Sequence, residues 1–290
     1  MARNKTTKKS TAKKKIHKHI MAKTNQKKNI KKNKLKVAFF GITGCAGCQL
    51  SFLFTDEDVI DLLDKIDVVN FPFIKEKAKS KSYDITFMEG LVADEQDLKT
   101  LKEVRKNSKI LIALGACAHT GCVPAYRRFT SLENFEHLLF KKKKELADLN
   151  PGPISEHVAV DFTIPGCPPD KEEIKYFIKQ FYLGKDPRNY EDPVCIECRK
   201  NGNECLLDIG KPCLGPITRG GCNAVCINGG FECWGCRGPT KDANMEVMIK
   251  LLLEKGHSRE FIIERMRIFV GTKHDALEKY LKELKGEAKT

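Results

Sequence analysis

The sequence predicts an α/β protein: a doubly wound parallel sheet, then an irregular cysteine-rich segment, then C-terminal helices. Three observations lead there. Short apolar runs alternate with helical periodicities from residue 36 to residue 183, the pattern of a parallel sheet with crossover helices. Eight of the 13 cysteines then fall within 42 residues, from Cys195 to Cys236, in text rich in Gly and Pro. Helical spacing returns over residues 241–286, with Val247, Leu251, Ile262, Ile263 and Met266 as its apolar positions.

Taken in order, KVAFFGI (36–42) is the first strand, an apolar run that ends in glycine, and an amphipathic helix follows it through Leu62. Further strands are expected at Ile66–Phe71, at Tyr83–Met88 before Glu89-Gly90, and at Lys109–Leu114 before Gly115. A fifth runs from His157 to Ile164 and stops at the Pro165-Gly166-Cys167-Pro168-Pro169 turn. Helices fill 93–106, 130–148 and 170–183, and Lys185–Asp192 reads as a linker. Strands of this length between helices resemble the flavodoxin-like type of doubly wound sheet. The implied organisation is a disordered tail (1–34), a sheet domain (35–186), a cysteine-rich domain (187–240) and terminal helices (241–290).

The net charge of +14 is a property of the tail rather than of the body. Residues 1–36 hold fourteen lysines and one arginine without an acidic residue, so everything after Lys36 sums to about −1. Such a like-charged block repels itself and buries little apolar surface, so disorder is expected there. No run reaches the roughly eighteen apolar residues of a membrane span. The start has neither the apolar core of a secretory signal nor a twin-arginine pair, so a cytoplasmic protein is expected. In a reduced compartment thirteen cysteines point to metal or redox chemistry rather than disulfides.

The five cysteines outside the window all follow predicted strands. Cys45 and Cys48 lie beyond strand one, Cys117 and Cys122 beyond strand four, and Cys167 beyond strand five. The carboxyl ends of parallel strands share one rim, so these thiols converge in space. A CxxC pair with two single cysteines makes a Cys₄ set suited to an iron–sulfur cluster, with Cys117 the shorter path to the rim and Cys122 a spare or a competitor. The window itself has little apolar sequence, so bound metal is expected to organise it. Its eight thiols divide by spacing into Cys195, Cys198, Cys205, Cys213 and Cys222, Cys226, Cys233, Cys236. Zinc ribbons share such spacings, but a third Cys₄ set on the rim shifts the balance to iron and sulfur, because serial redox centres form a relay.

GCAGC (44–48), EG (89–90), GACAHTGC (115–122), IPGCPP (164–169) and the run PCLGPIT…GGCNAVC…CWGCRGP together resemble the small subunit of a [NiFe] hydrogenase. More narrowly, they are similar to the cytoplasmic type that works with F420-nonreducing, NAD(P)-linked or sulfur-linked partners. The resemblance covers roughly Lys34 to Pro239. It implies a proximal [4Fe-4S] cluster on Cys45, Cys48, Cys117 and Cys167, and medial and distal clusters on the later eight thiols. Cys195 and Cys226 stand where many exported relatives carry histidine and proline, so three [4Fe-4S] clusters are implied. The resemblance also implies a large subunit as partner and a further electron-accepting flavin or iron–sulfur subunit.

No nickel-binding motif is present, because the CxxC pairs are used up by clusters, so hydrogen cleavage falls to the partner. Glu89, at a strand end beside the rim, is a possible proton relay, although such a carboxylate also caps or faces solvent. His119 could tune a cluster through a hydrogen bond to sulfur, Trp234 could shield one from water, and Arg127 and Arg128 could touch a subunit; a solvated role is the simpler reading for His119 and both arginines. Two other readings remain. A membrane-bound relative with only the proximal cluster leaves eight cysteines unexplained. A zinc-stabilised nucleic-acid-binding module would use the basic tail on phosphates, but the cysteine window carries few positive residues.

Overall fold

A computed structural model describes residues 34–53, 65–74, 82–126, 150–269 and 278. The expected disordered tail, the helix at 130–148, the stretch after Leu53 to Leu62, Arg127 and Arg128, and most of 270–290 lie outside the described residues.

Five parallel strands form one sheet in the order β2-β1-β3-β4-β5: β1 Leu35–Gly41, β2 Ile66–Asn70, β3 Tyr83–Glu89, β4 Ser108–Leu114 and β5 Phe162–Ile164. That order places the switch point between β1 and β3, where the connections leave for opposite faces and a crevice opens. Side-chain alternation serves both faces. Ile112 and Leu114 of β4 join Phe39, Phe87 and Phe177 in one cluster, whereas Leu111 and Ala113 join Leu101 and Val104 in another. Phe39 anchors the first, stacked on Phe52, Phe71 and Phe87 at centroid distances of 4.7, 4.7 and 4.8 Å.

Helices α1 (Gly47–Leu53) and α5 (Lys171–Tyr182) contribute Phe52, Ile174, Phe177 and Ile178 to the first cluster, and α2 (Glu95–Asn107) closes the second. The starts of α2 and α5 are set by Asp94 and Asp170, whose carboxylates accept from Asp97 N and from Glu172 N and Glu173 N. After β4 come two short helices, α3 (Gly115–Thr120) and α4 (Cys122–Ala125).

The fifth strand is shorter than expected. Instead of continuing from His157, the chain makes a 3₁₀ turn at Ile154–Glu156 and enters the ladder only at Phe162. Asp161 is the reason: its carboxylate accepts from Leu111 N at 2.8 Å, so a side chain replaces the next ladder carbonyl. Arg105 holds that carboxylate in place.

The cysteine-rich region has a core of its own. Val194 from α6 (Val194–Lys200), Leu207, Leu214, Ile217, and Ile227 from α7 (Val225–Asn228) pack against α8 (Met245–Glu254) and α9 (Arg259–Phe269). Met245, Met248, Ile249, Leu252, Ile262, Ile263 and Met266 supply the helical side. The window taken by itself is poor in apolar residues; its core is completed by helices that follow it in sequence. Among the described residues no helix is long and apolar enough to cross a membrane.

Candidate metal centres

The rim at the carboxyl ends of the strands gathers Cys48, Cys117, Cys122 and Cys167 around Glu89. Cys48 lies in the first turn of α1, and the N-terminus of that helix is fastened across the sheet. Glu89, 2% exposed at the end of β3, accepts from Cys48 N and Gln49 N at 3.2 Å each, one carboxylate oxygen to each amide. The CxxC turn is thereby clamped to the neighbouring strand. Cys45 opens the same turn and is exposed, as is Cys167.

Gly115 shows how closely β4 approaches this turn. Its φ is +86°, and a Cβ built there would lie 2.3 Å from Cys48 Sγ. Only glycine permits both the conformation and the contact. Gly121, at φ +89°, reverses the chain after α3, so that Cys122 turns back toward the rim. Cys122 is buried at 3% exposure and itself sits at φ +52°. Its thiol bridges Cys117 and Cys167; as the shared donor it is pushed strongly up, while Cys117 is drawn down and Cys167 falls to about 7. The fold-back that sequence reasoning left open does take place, and Cys122 belongs to the group. Burial, then the charge of Glu89, pushes the Cys48 thiol far up.

A second group stands apart in the cysteine-rich region. Cys195, Cys198, Cys205 and Cys213 line a cavity of about 460 Å³, with Leu206, Leu207 and Ile227 as apolar wall. Burial and then the facing Cys213, Cys198 and Cys205 push Cys195 up to about 11. Buried thiols of this kind are poor free nucleophiles and bind metal with release of their protons.

The third group lies between the other two. Cys236 faces Cys222, Cys226 and Cys233, and it also faces Cys167 of the rim, whose backbone N–H reaches its sulfur. On the far side the N–H of Cys233 donates to Cys213 Sγ at 3.3 Å. Burial raises Cys222, Cys233 and Cys236 alike, although Arg237 pulls Cys222 part of the way back. Cys195 thus neighbours Cys198, Cys205 and Cys213, Cys236 neighbours Cys222, Cys226 and Cys233, and the two neighbourhoods touch at Cys233 and Cys213. Among the described residues no three His, Cys, Asp or Glu side chains converge as a single-ion site. Four thiols around a cavity of that volume suit a multi-atom cluster, so the donor set fits iron and sulfur.

His119 is buried in α3, and its Nε2 accepts from Arg219 at 3.1 Å, a bond across 100 residues that ties the sheet domain to the cysteine-rich region. Trp234 lies over the guanidinium of Arg265 at 3.6 Å and is 39% exposed. Sequence reasoning missed two buried cations, Arg237 and Arg265, the half-buried Arg219, and the carboxylates that pair with the first two, Glu173 with Arg237 and Glu232 with Arg265. Their one available signal was position: Arg237 directly follows the last cysteine.

Comparison with known proteins agrees with this geometry. The family described as NADH ubiquinone oxidoreductase, 20 Kd subunit, matches residues 45–181, the stretch that carries the rim thiols. The chain is 39% identical over 236 residues to the sulfhydrogenase 2 subunit delta of Pyrococcus furiosus, covering 81% of this chain and 99% of that one. It is 31% identical to an F420-non-reducing hydrogenase subunit of Methanocaldococcus jannaschii, over 71% of this chain and 82% of that one. A reduced, active Ni-Fe-Se hydrogenase structure from Desulfomicrobium baculatum shares the fold, with TM-score 0.52, 14% identity, and coverage of 82% and 99% of the two chains. With thiols gathered at a sheet rim and near full-length likeness to hydrogenase subunits, the chain belongs to the small, electron-transferring subunit family of [NiFe] hydrogenases.

Proposed function

We propose that this subunit relays single electrons through three [4Fe-4S] clusters, between a nickel–iron site on a partner large subunit and a further electron-accepting subunit. One observation carries the reading. The three thiol groups form an unbroken series, from Cys167 to Cys236, from Cys236 to Cys233, and from Cys233 to Cys213. Serial centres in contact are what conduction requires and what isolated structural sites would not need.

In this reading Cys45, Cys48, Cys117 and Cys167 hold the proximal cluster at the rim. Cys222, Cys226, Cys233 and Cys236 hold the medial one, and Cys195, Cys198, Cys205 and Cys213 the distal one. When bound, each cluster supplies one-electron chemistry at a potential set by burial and by N–H bonds to sulfur. The chain's own residues do the rest. Glu89 clamps the CxxC turn, Cys122 donates toward Cys117 and Cys167, and the Cys233 amide donates to Cys213. The exposed rim, with Cys45, Cys167 and the half-exposed Val123, faces the large subunit. Both carboxylate oxygens of Glu89 are committed to backbone amides, so the clamp is its role here and a proton relay is the rival role that Glu89→Gln tests. A cytoplasmic location suits this reading, since cytosolic thiols are kept reduced.

The zinc-stabilised nucleic-acid-binding reading is not favoured, because the relatives are hydrogenase subunits. Metal analysis of the anaerobic complex with its large subunit tests the proposal, with about twelve irons per chain expected from three Cys₄ clusters. Mainly zinc, or iron near a single cluster's share, overturns it. The subunit isolated from its partner is expected to show no hydrogen uptake.

A further inference from the structure

Arg237 is the bulkiest fully buried side chain among the described residues, 1% exposed. A guanidinium does not shed its charge by deprotonation, and leaving it unpaired in the interior would cost several kcal/mol. Its partners come from three separate segments. Nε donates to Gly220 O at 2.6 Å, Nη1 donates to Pro165 O at 2.9 Å, and Nη2 donates to Glu173 Oε1 at 3.0 Å with Oε2 at 2.9 Å.

Each partner leads to a ligand-bearing loop or its support. Pro165 begins the turn that carries Cys167 at the rim, Gly220 precedes Cys222, and Arg237 itself follows Cys236. Glu173 lies in the first turn of α5, directly after the Cys167 turn. One cation therefore ties together loops from two of the three thiol groups. The fit leaves no slack, since a Cβ on Gly221 would lie 2.7 Å from Nη2 at a backbone φ of +96°. The charge also sits close to the sulfur-bearing loops, one residue from Cys236 and against the Gly220-Gly221 turn that leads to Cys222.

A cluster becomes more negative when it takes an electron. A fixed buried cation beside it stabilises the reduced state, and the carboxylate paired with that cation offsets part of the effect.

We propose that Arg237 is a positioning residue that locks the rim thiols to the Cys222–Cys236 group and raises the reduction potential of the cluster held there, with Glu173 as its counter-charge. The inference rests on the reading that this group carries a cluster.

The test is an EPR-monitored redox titration of the anaerobically purified complex, with iron counted in every sample. Arg237→Gln is expected to make reduction of one cluster about tenfold less favourable, a fall of about 59 mV for one electron. Glu173→Gln, which leaves the cation uncompensated, is expected to move the same cluster upward. Arg237→Lys keeps the charge and is expected to recover most of the potential lost with Gln. A purely structural role would not reverse sign between the two Gln variants. Unshifted potentials, or shifts in the same direction, with iron retained overturn the proposal and leave the cluster reading standing. Should Arg237→Gln fail to assemble, the upward shift in Glu173→Gln decides the matter alone. A wild-type complex without a cluster at this group removes both.

Discussion

Replacing Glu89 separates a structural clamp from a proton-relay role. The carboxylate is buried and accepts two backbone amides at 3.2 Å, those of Cys48 and Gln49. Glu89→Ala leaves both N–H groups without a partner in a site that water does not reach. A stranded buried donor costs about 1–3 kcal/mol, so the pair costs about 2–6 kcal/mol, a large share of the roughly 5–15 kcal/mol that holds a domain folded. The loss falls on the CxxC turn, so the expected result is a complex short of the rim cluster, with iron near about eight rather than about twelve per chain. Glu89→Gln keeps the shape and one acceptor oxygen, and costs about half as much. Its iron content and hydrogen-dependent dye reduction are expected to stay close to wild type, as measured on the anaerobic complex. The clamp account is refuted by a Gln variant with full iron whose activity falls about a hundredfold, the scale of a lost acid–base group.

Other substitutions check the site from different sides. Gly115→Ala places a methyl 2.3 Å from Cys48 Sγ at φ +86°, so the rim iron is expected to be lost while the other two groups load normally. Cys117→Ser is expected to lose or convert the rim cluster, whereas Cys122→Gly keeps it and relieves a left-handed backbone that costs a side-chain residue about 1–2 kcal/mol. The opposite iron counts would exchange the two ligand assignments. For the metal-free chain, Cys195 is raised from 9.0 to about 11, so it stays protonated at neutral pH and must release that proton on loading. Iron and sulfide uptake should therefore strengthen with rising pH. A thiol held neutral by the fold contributes stability at low pH and loses it as pH climbs from about 9 toward 11, so thermal melts of the metal-free chain should fall across that window.

Much of this protein was legible before any coordinates. Short apolar runs that alternate with helical periodicities specify a parallel sheet, because parallel strands need crossover connections, and the loops at the strands' carboxyl ends place Cys48, Cys117 and Cys167 on one rim. The CxxC spacings likewise predict which thiols of the window lie near one another, since local turns bring near neighbours together wherever the rest of the chain lies.

The tertiary structure decided what depends on contacts between distant segments. Asp161 cuts β5 short by supplying a side-chain oxygen to Leu111 N, which no period reveals. The core of the cysteine-rich region closes only with α8 and α9, so an apolar count within the window underestimates it. Whether Cys122 reaches Cys117 and Cys167 turned on a left-handed step at Gly121. The order of the three thiol groups, and the buried Arg237 that ties two of them together, rest on hydrogen bonds spanning 17 to 72 residues. Sequence periodicity reports which face of an element is buried; it carries no information about which buried groups meet.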